Sequence, residues 1–474
     1  MTEHVGVCVV GAGVAGIGLA LRLADEGRDD VVVLERRDGV GGTWHDNVYP
    51  GVACDIPAPL YAYSFAPNPH WTGRFAPGEE IRAYLERCAR PVADRIRLGV
   101  TVQGAAWTGD RWAVRTDRGD LTADLLVLAV GRLAEPRRPA LPGVDSFAGP
   151  VVHTATWDPG LPLAGRRIGV VGTGASAVQL VPRLVEAGAA VTVFQRSAPW
   201  VIPREDDTVE LAADGSERAL RAGLAERQAA GFRARRTGTA ELAALEDRAR
   251  AHLEAQVPPG ALRDAVTPAT LIGCKRVLLS DEWYPALAGG GAHLEPSALD
   301  RFEDGVAVAA SGNRFALDSL VLATGFVADL PPIARTIIGT DGTLAHAWRD
   351  GMRAYASVAV PGFPNLFVLD GPNAALGHDS AVHVIEAQIA YVLGAAAHVA
   401  AGAVLDVSPE HEAAYTAEVE RRSRGTVWLE CDSWYRDRRS GRLTVLWPGT
   451  AAEYAERNGT FSPEPYRTPV PLHA

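Results

Sequence analysis

Twice in this chain a short apolar run breaks at a glycine-rich turn that opens a helix, and no other feature restricts the possible fold so strongly. The first unit is Val5, Val7, Val9 and Val10, then Gly11-Ala-Gly13-Val-Ala-Gly16, with a helix predicted from Val14 to about Ala24 and a second strand from Val31 to Leu34. The second is Ile168 to Val171, then Gly172-Thr173-Gly174-Ala-Ser176-Ala177, a helix to about Glu186 and a strand from Val191 to Phe194. Apolar runs closed by glycine read as strands buried on both faces. The first glycine of such a turn allows its tight geometry, the second lets a pyrophosphate approach the backbone, and the third lets helix and strand pack closely. The helix start leaves N–H groups unpaired, which suits an anion. The pattern predicts an α/β chain with two Rossmann-like dinucleotide sites.

One charge separates the two sites. In the first unit a carboxylate, Glu35, ends the second strand nineteen residues after Gly16, where it can accept hydrogen bonds from both ribose hydroxyls of an adenosine. The same count in the second unit, twenty-four residues from the first glycine, reaches Arg196. A carboxylate repels the 2′-phosphate of NADP, whereas a guanidinium binds it with charge-assisted hydrogen bonds. FAD is therefore expected in the first site and NADPH in the second, the latter contacting Gly172, Thr173, Gly174, Ser176, Ala177, Gln179, Arg196 and Ser197.

A second internal echo, Asp124-Leu-Leu-Val-Leu-Ala-Val-Gly131 and Asp318-Ser-Leu-Val-Leu-Ala-Thr-Gly325, supplies each module with a closing strand. Between the second module and its closing strand lies an Ala-, Leu-, Glu- and Arg-rich stretch with Leu242, Leu245, Ala249 and Leu253 at helical spacing, stopped by Pro258-Pro-Gly260. The expected organisation is an FAD domain over 1–146, a linker and NADPH domain over 147–207, a helical insertion over 208–261, the rest of the NADPH domain over 262–335 and the returning FAD domain over 336–474. The two domains are thus interleaved.

At 474 residues, with 47% hydrophobic and 22% charged residues, the chain can bury more than one core. A net charge of −11 disfavours nucleic acid and anionic lipid as partners, so small molecules are expected. Five scattered cysteines form no CxxC pattern, and reduced thiols are the expectation. The N-terminus runs directly into a strand, without the basic and long apolar regions of a leader, which points to the cytoplasm. The late apolar segment Tyr391 to Val407 is expected to be a buried helix rather than a membrane span. Oligomeric state is left open.

Three further motifs carry a resemblance. Phe147-x-Gly149-x-x-x-His153-x-x-x-Trp157-Asp158 lies between the two modules, Gly41-Gly42-x-Trp44-x-x-x-x-Tyr49-Pro50-Gly51-x-x-x-Asp55 follows Glu35, and Gly273-Cys-Lys-Arg276 follows the insertion. With Asp370-Gly-Pro-Asn373 and Ser433-Trp434-Tyr435, they make the chain similar, over nearly its whole length, to class B flavoprotein monooxygenases of the Baeyer–Villiger group. Ala129-Val130-Gly131 in place of Ala-Thr-Gly, and His45 in place of an aromatic residue, depart from the group's pattern.

The resemblance implies hydride transfer from NADPH to FAD, then oxygen transfer from O2 through a peroxide on the flavin C4a carbon to a ketone, giving an ester or lactone. It implies Arg276 as the catalytic cation and Asp55 as its orienting partner beside the cofactors. Thr43, Trp44, Asp55, Tyr61, Val130 and Asp370 are implied at FAD, together with Gly11, Gly13, Gly16 and Glu35, and Lys275 joins Arg196 at the 2′-phosphate. The alternative on the same scaffold is oxygenation of nitrogen or sulfur; Trp157-Asp158 and Arg276 favour the ketone. His153 is expected to be a hydrogen-bonded linker residue, and His378, His383 and Asp379 to be packing rather than a metal site.

Overall fold

The computed structural model describes residues 2–205 and 217–467. Strand Glu3–Val10 lies inside an eight-stranded sheet, parallel to Val31–Leu34 on one side and to Leu121–Leu128 on the other. Val10 pairs with both Leu34 and Leu128, so the three strands end level and Gly11, Glu35 and Ala129 emerge along one edge. Val7 and Val9 pack in a cluster with Leu19 of helix Val14–Asp25 and Ile389 of helix Ala381–Ala400. Cys8 and Val10 face the other way, into a cluster with Trp112, Trp348 and Phe363. Cover on both faces explains why the strand reads as a nearly unbroken apolar run.

The second sheet has five parallel strands in the order Ala292–Glu295, Ala190–Phe194, Arg167–Val171, Ser319–Leu322 and Val151–His153. Its core joins Val170 and Val193 to Val178, Val181 and Leu184 of helix Ala175–Glu186. After this sheet closes, the chain goes back to the first: Ile337–Ile338 pairs with Val102–Trp107, and Leu366–Val368 with Leu121–Leu128. These two strands are what interleave the Rossmann-like domains.

The insertion is helical where it is described; residues 208–216 of the expected span lie outside the described residues. Helix Glu217–Ala230 is followed by a short turn at Arg233–Arg235 and by helix Ala240–Gln256, which the Thr239 hydroxyl caps by accepting from Leu242 N at 3.2 Å. Leu242, Ala249 and Leu253 are buried and Leu245 half-buried, as their spacing predicts. Ala381–Ala400 is, among the described residues, the one helix long and apolar enough to cross a membrane. Twelve of its residues are buried, eight of them in the core it shares with helix Val14–Asp25.

The expectation of reduced thiols is corrected at one pair. Cys274 and Cys431, 157 residues apart in sequence, form a disulfide with Cα atoms 6.1 Å apart. Spacing gives no sign of a pair that only the fold of the C-terminal segment brings together. Cys8 and Cys54 are free and buried, and burial pushes both thiols up to about 12.

Candidate active site between two nucleotide cradles

At the edge of the first sheet, Gly11 has φ +106°, and a Cβ there would stand 2.4 Å from Ala129 O. A Cβ on Gly16 would meet Gly11 O at 1.9 Å, so this glycine seats the helix against the turn. Glu35 is buried; its carboxylate accepts from Ala12 N at 2.7 Å and from Arg37 N at 2.9 Å. Both bonds hold the carboxylate at the wall of a cavity of about 510 Å3, with lone pairs left for further donors.

Gly11, Gly13, Glu35, Thr43, Trp44, Tyr61, Val130 and Asp370 all line this cavity. Gly16 and Asp55 are not in its wall. Trp44 Nε1 donates to the Tyr61 hydroxyl at 3.2 Å, and burial raises the Tyr61 phenol far above its usual range. Asp370 has φ +55° and its backbone N–H donates to Gln388 Oε1 at 2.8 Å. Its carboxylate pairs with Arg132; burial raises its pKa and Arg132 only partly opposes this.

The second cradle repeats the first with opposite charge. Gly172 has φ +112° and its Cβ would lie 2.6 Å from Ala323 O, while Ala177 is fully buried at the helix start headed by Gly174 and Ser176. Thr173 Oγ1 donates to Ser197 O at 2.8 Å, and Lys275 Nζ donates to Ser197 Oγ at 3.1 Å. Burial, then the nearby Arg196, lowers the Lys275 pKa. Arg196 is exposed and has no carboxylate partner among the described residues. Two cations held together with no carboxylate bonded to either among the described residues form a site for a polyanion, which Asp432 opposes only from a distance. Gln179 turns the other way: its amide donates to Ala53 O at 3.0 Å and accepts from the Tyr49 hydroxyl at 2.8 Å, tying the two domains. Gly51, with φ +84°, lets Gln179 O come within 2.7 Å of where a Cβ would stand.

Arg276 Nε donates to Asp55 Oδ2 at 2.7 Å and Nη2 donates to Oδ1, so the pair joins the segment after Lys275 to the segment after Glu35. Both side chains are enclosed yet keep 33% and 23% of their surface accessible, as residues lining an internal cleft do. Burial works to raise the Asp55 pKa, and the Arg276 guanidinium more than reverses it, so the acid is held below its usual range. Asp55 raises Arg276 in turn. Two of the five guanidinium N–H groups face Asp55, and three remain for other acceptors.

Two of the neighbouring side chains escaped the motifs. Arg132, Arg235 and Tyr435 stand close enough to one another or to Arg276 to alter protonation, and no pattern in the sequence marks the two arginines. His153 is fully buried, with Nε2 3.1 Å from Gly325 O and Nδ1 accepting from Ala155 N at 3.1 Å. Both ring nitrogens are thus spent on backbone, as expected for a linker histidine, and burial lowers its pKa. His383 pairs with Asp379 at 3.3 Å, and His378 has no hydrogen-bond partner for either ring nitrogen among the described residues. Trp434 is 44% exposed.

The fold and this arrangement define an oxidoreductase with two Rossmann-like nucleotide domains facing one another across a fixed cation. Residues 9–76 match the family model for an NAD(P)-binding Rossmann-like domain, and residues 56–237 that for pyridine nucleotide-disulphide oxidoreductase. A Baeyer-Villiger monooxygenase of Streptomyces coelicolor is 42% identical over 95% of this chain and 90% of the relative. Another, of Pseudomonas aeruginosa, is 36% identical over 100% of this chain and 93% of the relative. Among solved structures, an oxidized steroid monooxygenase bound to NADP matches with TM-score 0.82 at 31% identity, covering 96% of this chain and 97% of that one. A cyclohexanone monooxygenase from Rhodococcus sp. Phi1 bound to NADP+ matches with TM-score 0.86 at 26% identity and the same coverage. The chain belongs to the Baeyer–Villiger monooxygenase family.

Proposed function

We propose that this chain uses NADPH and O2 to convert a small ketone to an ester or lactone, with FAD in the first cradle and NADPH in the second. The observation that carries this reading is Arg276 clamped by Asp55, a pair that joins the segment carrying Lys275 to the segment that follows Glu35. The cavity of about 510 Å3, bare of Cβ atoms at Gly11 and Gly13 and edged by an anchored Glu35, fits a dinucleotide whose ribose hydroxyls donate to that carboxylate. Arg196 and Lys275 fit the 2′-phosphate that distinguishes NADPH. Strands Ile337–Ile338 and Leu366–Val368 support assigning residues 336–474 with 1–146, and Val151–His153 supports starting the NADPH domain at 147.

When bound and reduced, FAD supplies the chemistry that activates O2. The chain supplies the surroundings. Asp55 holds Arg276 in one orientation, and the remaining guanidinium N–H groups face negative charge developing on the transferred oxygen and on the substrate carbonyl. A guanidinium does not surrender its proton near neutral pH, so it favours an anionic nucleophile over a protonated electrophile. This separates ketone oxidation from attack by a nitrogen or sulfur lone pair. Gly11, Gly13, Thr43, Trp44, Tyr61, Val130 and Asp370 enclose FAD, with Gly16 seating the helix behind them; Gly172, Thr173, Gly174, Ser176, Ala177 and Ser197 cradle NADPH, and Gln179 positions its helix. A cytoplasmic location goes with this reading, because NADPH is regenerated there.

The test is incubation of the yellow protein with NADPH, isotopically labelled O2 and matched ketones and thioethers. Esters or lactones carrying one labelled oxygen are expected; labelled sulfoxides with no ester would overturn the ketone reading.

A further inference from the structure

One cation beside Arg276 has no counter-ion among the described residues. Arg235, at the turn between the two insertion helices, donates among them only to the carbonyl of its neighbour Ala234, at 3.3 Å. It is packed closely by protein on most sides but keeps part of its surface accessible, as Arg276 does. Its place is fixed from several directions. Arg236 bridges Thr426, Thr237 N donates to Gly425 O at 3.0 Å, and Phe232 packs on His378 and Trp428 with ring centroids 5.4 and 6.1 Å away. The Arg235 side chain crosses Gly273, where a Cβ would stand 3.2 Å from its Cδ, three residues before Arg276.

Two more polar groups without hydrogen-bond partners among the described residues gather there. Both ring nitrogens of His378 are buried and unpaired among these residues. The Tyr435 side chain is 2% exposed, and its hydroxyl has no hydrogen-bond partner among the described residues. Each lies close enough to Arg235 for its charge to alter their protonation. The acids near it are already committed: Asp55 to Arg276, Asp379 to Ser380 N and His383, and Glu453 to Arg422 and Thr450 N. An enclosed guanidinium with an imidazole and a phenol beside it, and its neighbouring acids paired elsewhere, suits an anionic ligand, which would offset the cost of burying the charge.

We propose that Arg235, with His378 and Tyr435, is an anion subsite next to Arg276 that binds the carboxylate of the substrate, so that the ketones taken by this enzyme are keto acids. This rests on the ketone reading above and adds a substrate class to it. Recognition of this kind fixes one end of the molecule and leaves the carbonyl for the neighbouring Arg276.

The holoenzyme and its Arg235→Gln and Arg235→Lys variants are to be compared on levulinate and its longer homologues, each against its own methyl ester. The wild type is expected to prefer acid over ester. In R235Q the acid-to-ester ratio of kcat/KM falls by about tenfold to a hundredfold, mainly through KM, and R235K keeps part of the preference. Hexanoate, which cannot react, raises the Tm of the wild type more than that of R235Q. A wild type indifferent to acid and ester, equal loss of both in R235Q, or a raised KM for NADPH instead would each overturn the proposal, the last by giving Arg235 to the cofactor phosphates. If no ketone is oxidised, the hexanoate shift still tests the subsite separately from the ketone reading. If R235Q loses its flavin on purification, Tyr435→Phe and His378→Gln are read for the same ratio.

Discussion

Arg276 and Asp55 show how a permanent charge is made useful inside a protein. Alone, the guanidinium would be costly to enclose; with Asp55 accepting from two of its N–H groups it is fixed in direction and keeps three donors free. Replacing Arg276 by Ala is expected to lower ester formation by about a hundredfold or more, while NADPH oxidation continues and ends in hydrogen peroxide; product yield per NADPH consumed measures this. Arg276→Lys should recover little, since an ammonium cannot make the two-pronged bond to Asp55. At the second cradle, Arg196→Ala is expected to raise the KM for NADPH about tenfold or more and to move that for NADH far less, which steady-state kinetics with both reductants will read. These residues were legible because their neighbours in sequence mark them: Arg276 sits in Gly-Cys-Lys-Arg, and Arg196 occupies the strand end where Glu35 stands in the first unit. Arg132 and Arg235 carry no such mark. Their partners, or lack of them, come from segments more than a hundred residues away.

The strand, turn and helix units kept nearly the bounds that their residues predict, because each is local. The helix expected from Val14 to about Ala24 runs Val14–Asp25, and the strand Val31 to Leu34 is unchanged. The turn geometry makes a prediction of its own. A methyl group on Gly16 would collide with Gly11 O, which as backbone has nowhere to go, so Gly16→Ala should destabilise by about 1–3 kcal/mol and yield protein with less bound FAD, measured by absorbance at the flavin band. Gly51 answers to the opposite domain, since a side chain there would push on the backbone at Gln179. Gly51 stands in a motif of the first domain, yet what requires it to be glycine is a helix of the second. The insertion is the reverse case: helical spacing forecast its helices, but nothing local told that the turn at Arg233–Arg235 would be carried over Gly273.

The assembled molecule adds two properties that no single element has. The disulfide between Cys274 and Cys431 ties the segment that carries Arg276 to the one that carries Tyr435. Cys431→Ser is expected to lower stability by about 2–4 kcal/mol, read as a lower Tm, and peptide mapping without reductant should recover the two cysteines in one linked fragment. Acid stability is the other. Burial pushes the His378 imidazole down to about 4 from an ordinary 6.5, with Arg235 acting the same way and Asp379 and Glu453 against. The unfolded chain then binds a proton that the folded one refuses. Stability from this group is complete above pH 6.5 and is lost as pH falls toward 4, by up to roughly 3 kcal/mol; Asp55, whose pKa is lowered, removes more below the usual carboxylate range. Thermal melts between neutral pH and pH 4 should fall steeply in the wild type and less steeply in His378→Phe.

Nearest-neighbour chemistry was enough to write down two nucleotide cradles, their order and their opposite charges, because a βαβ turn is built from residues within about thirty positions of one another. Two of the chain's motifs, the one ending at Asp55 and the one ending at Arg276, hold residues that the fold brings into a direct ion pair. The return of Leu366–Val368 to the first sheet, the union of Cys274 with Cys431, and the meeting of Arg235, His378 and Tyr435 depend on contacts between distant segments. Such contacts are chosen by which buried surfaces fit when the whole chain packs, and a side chain acquires its partner, or is left without one, only at that stage.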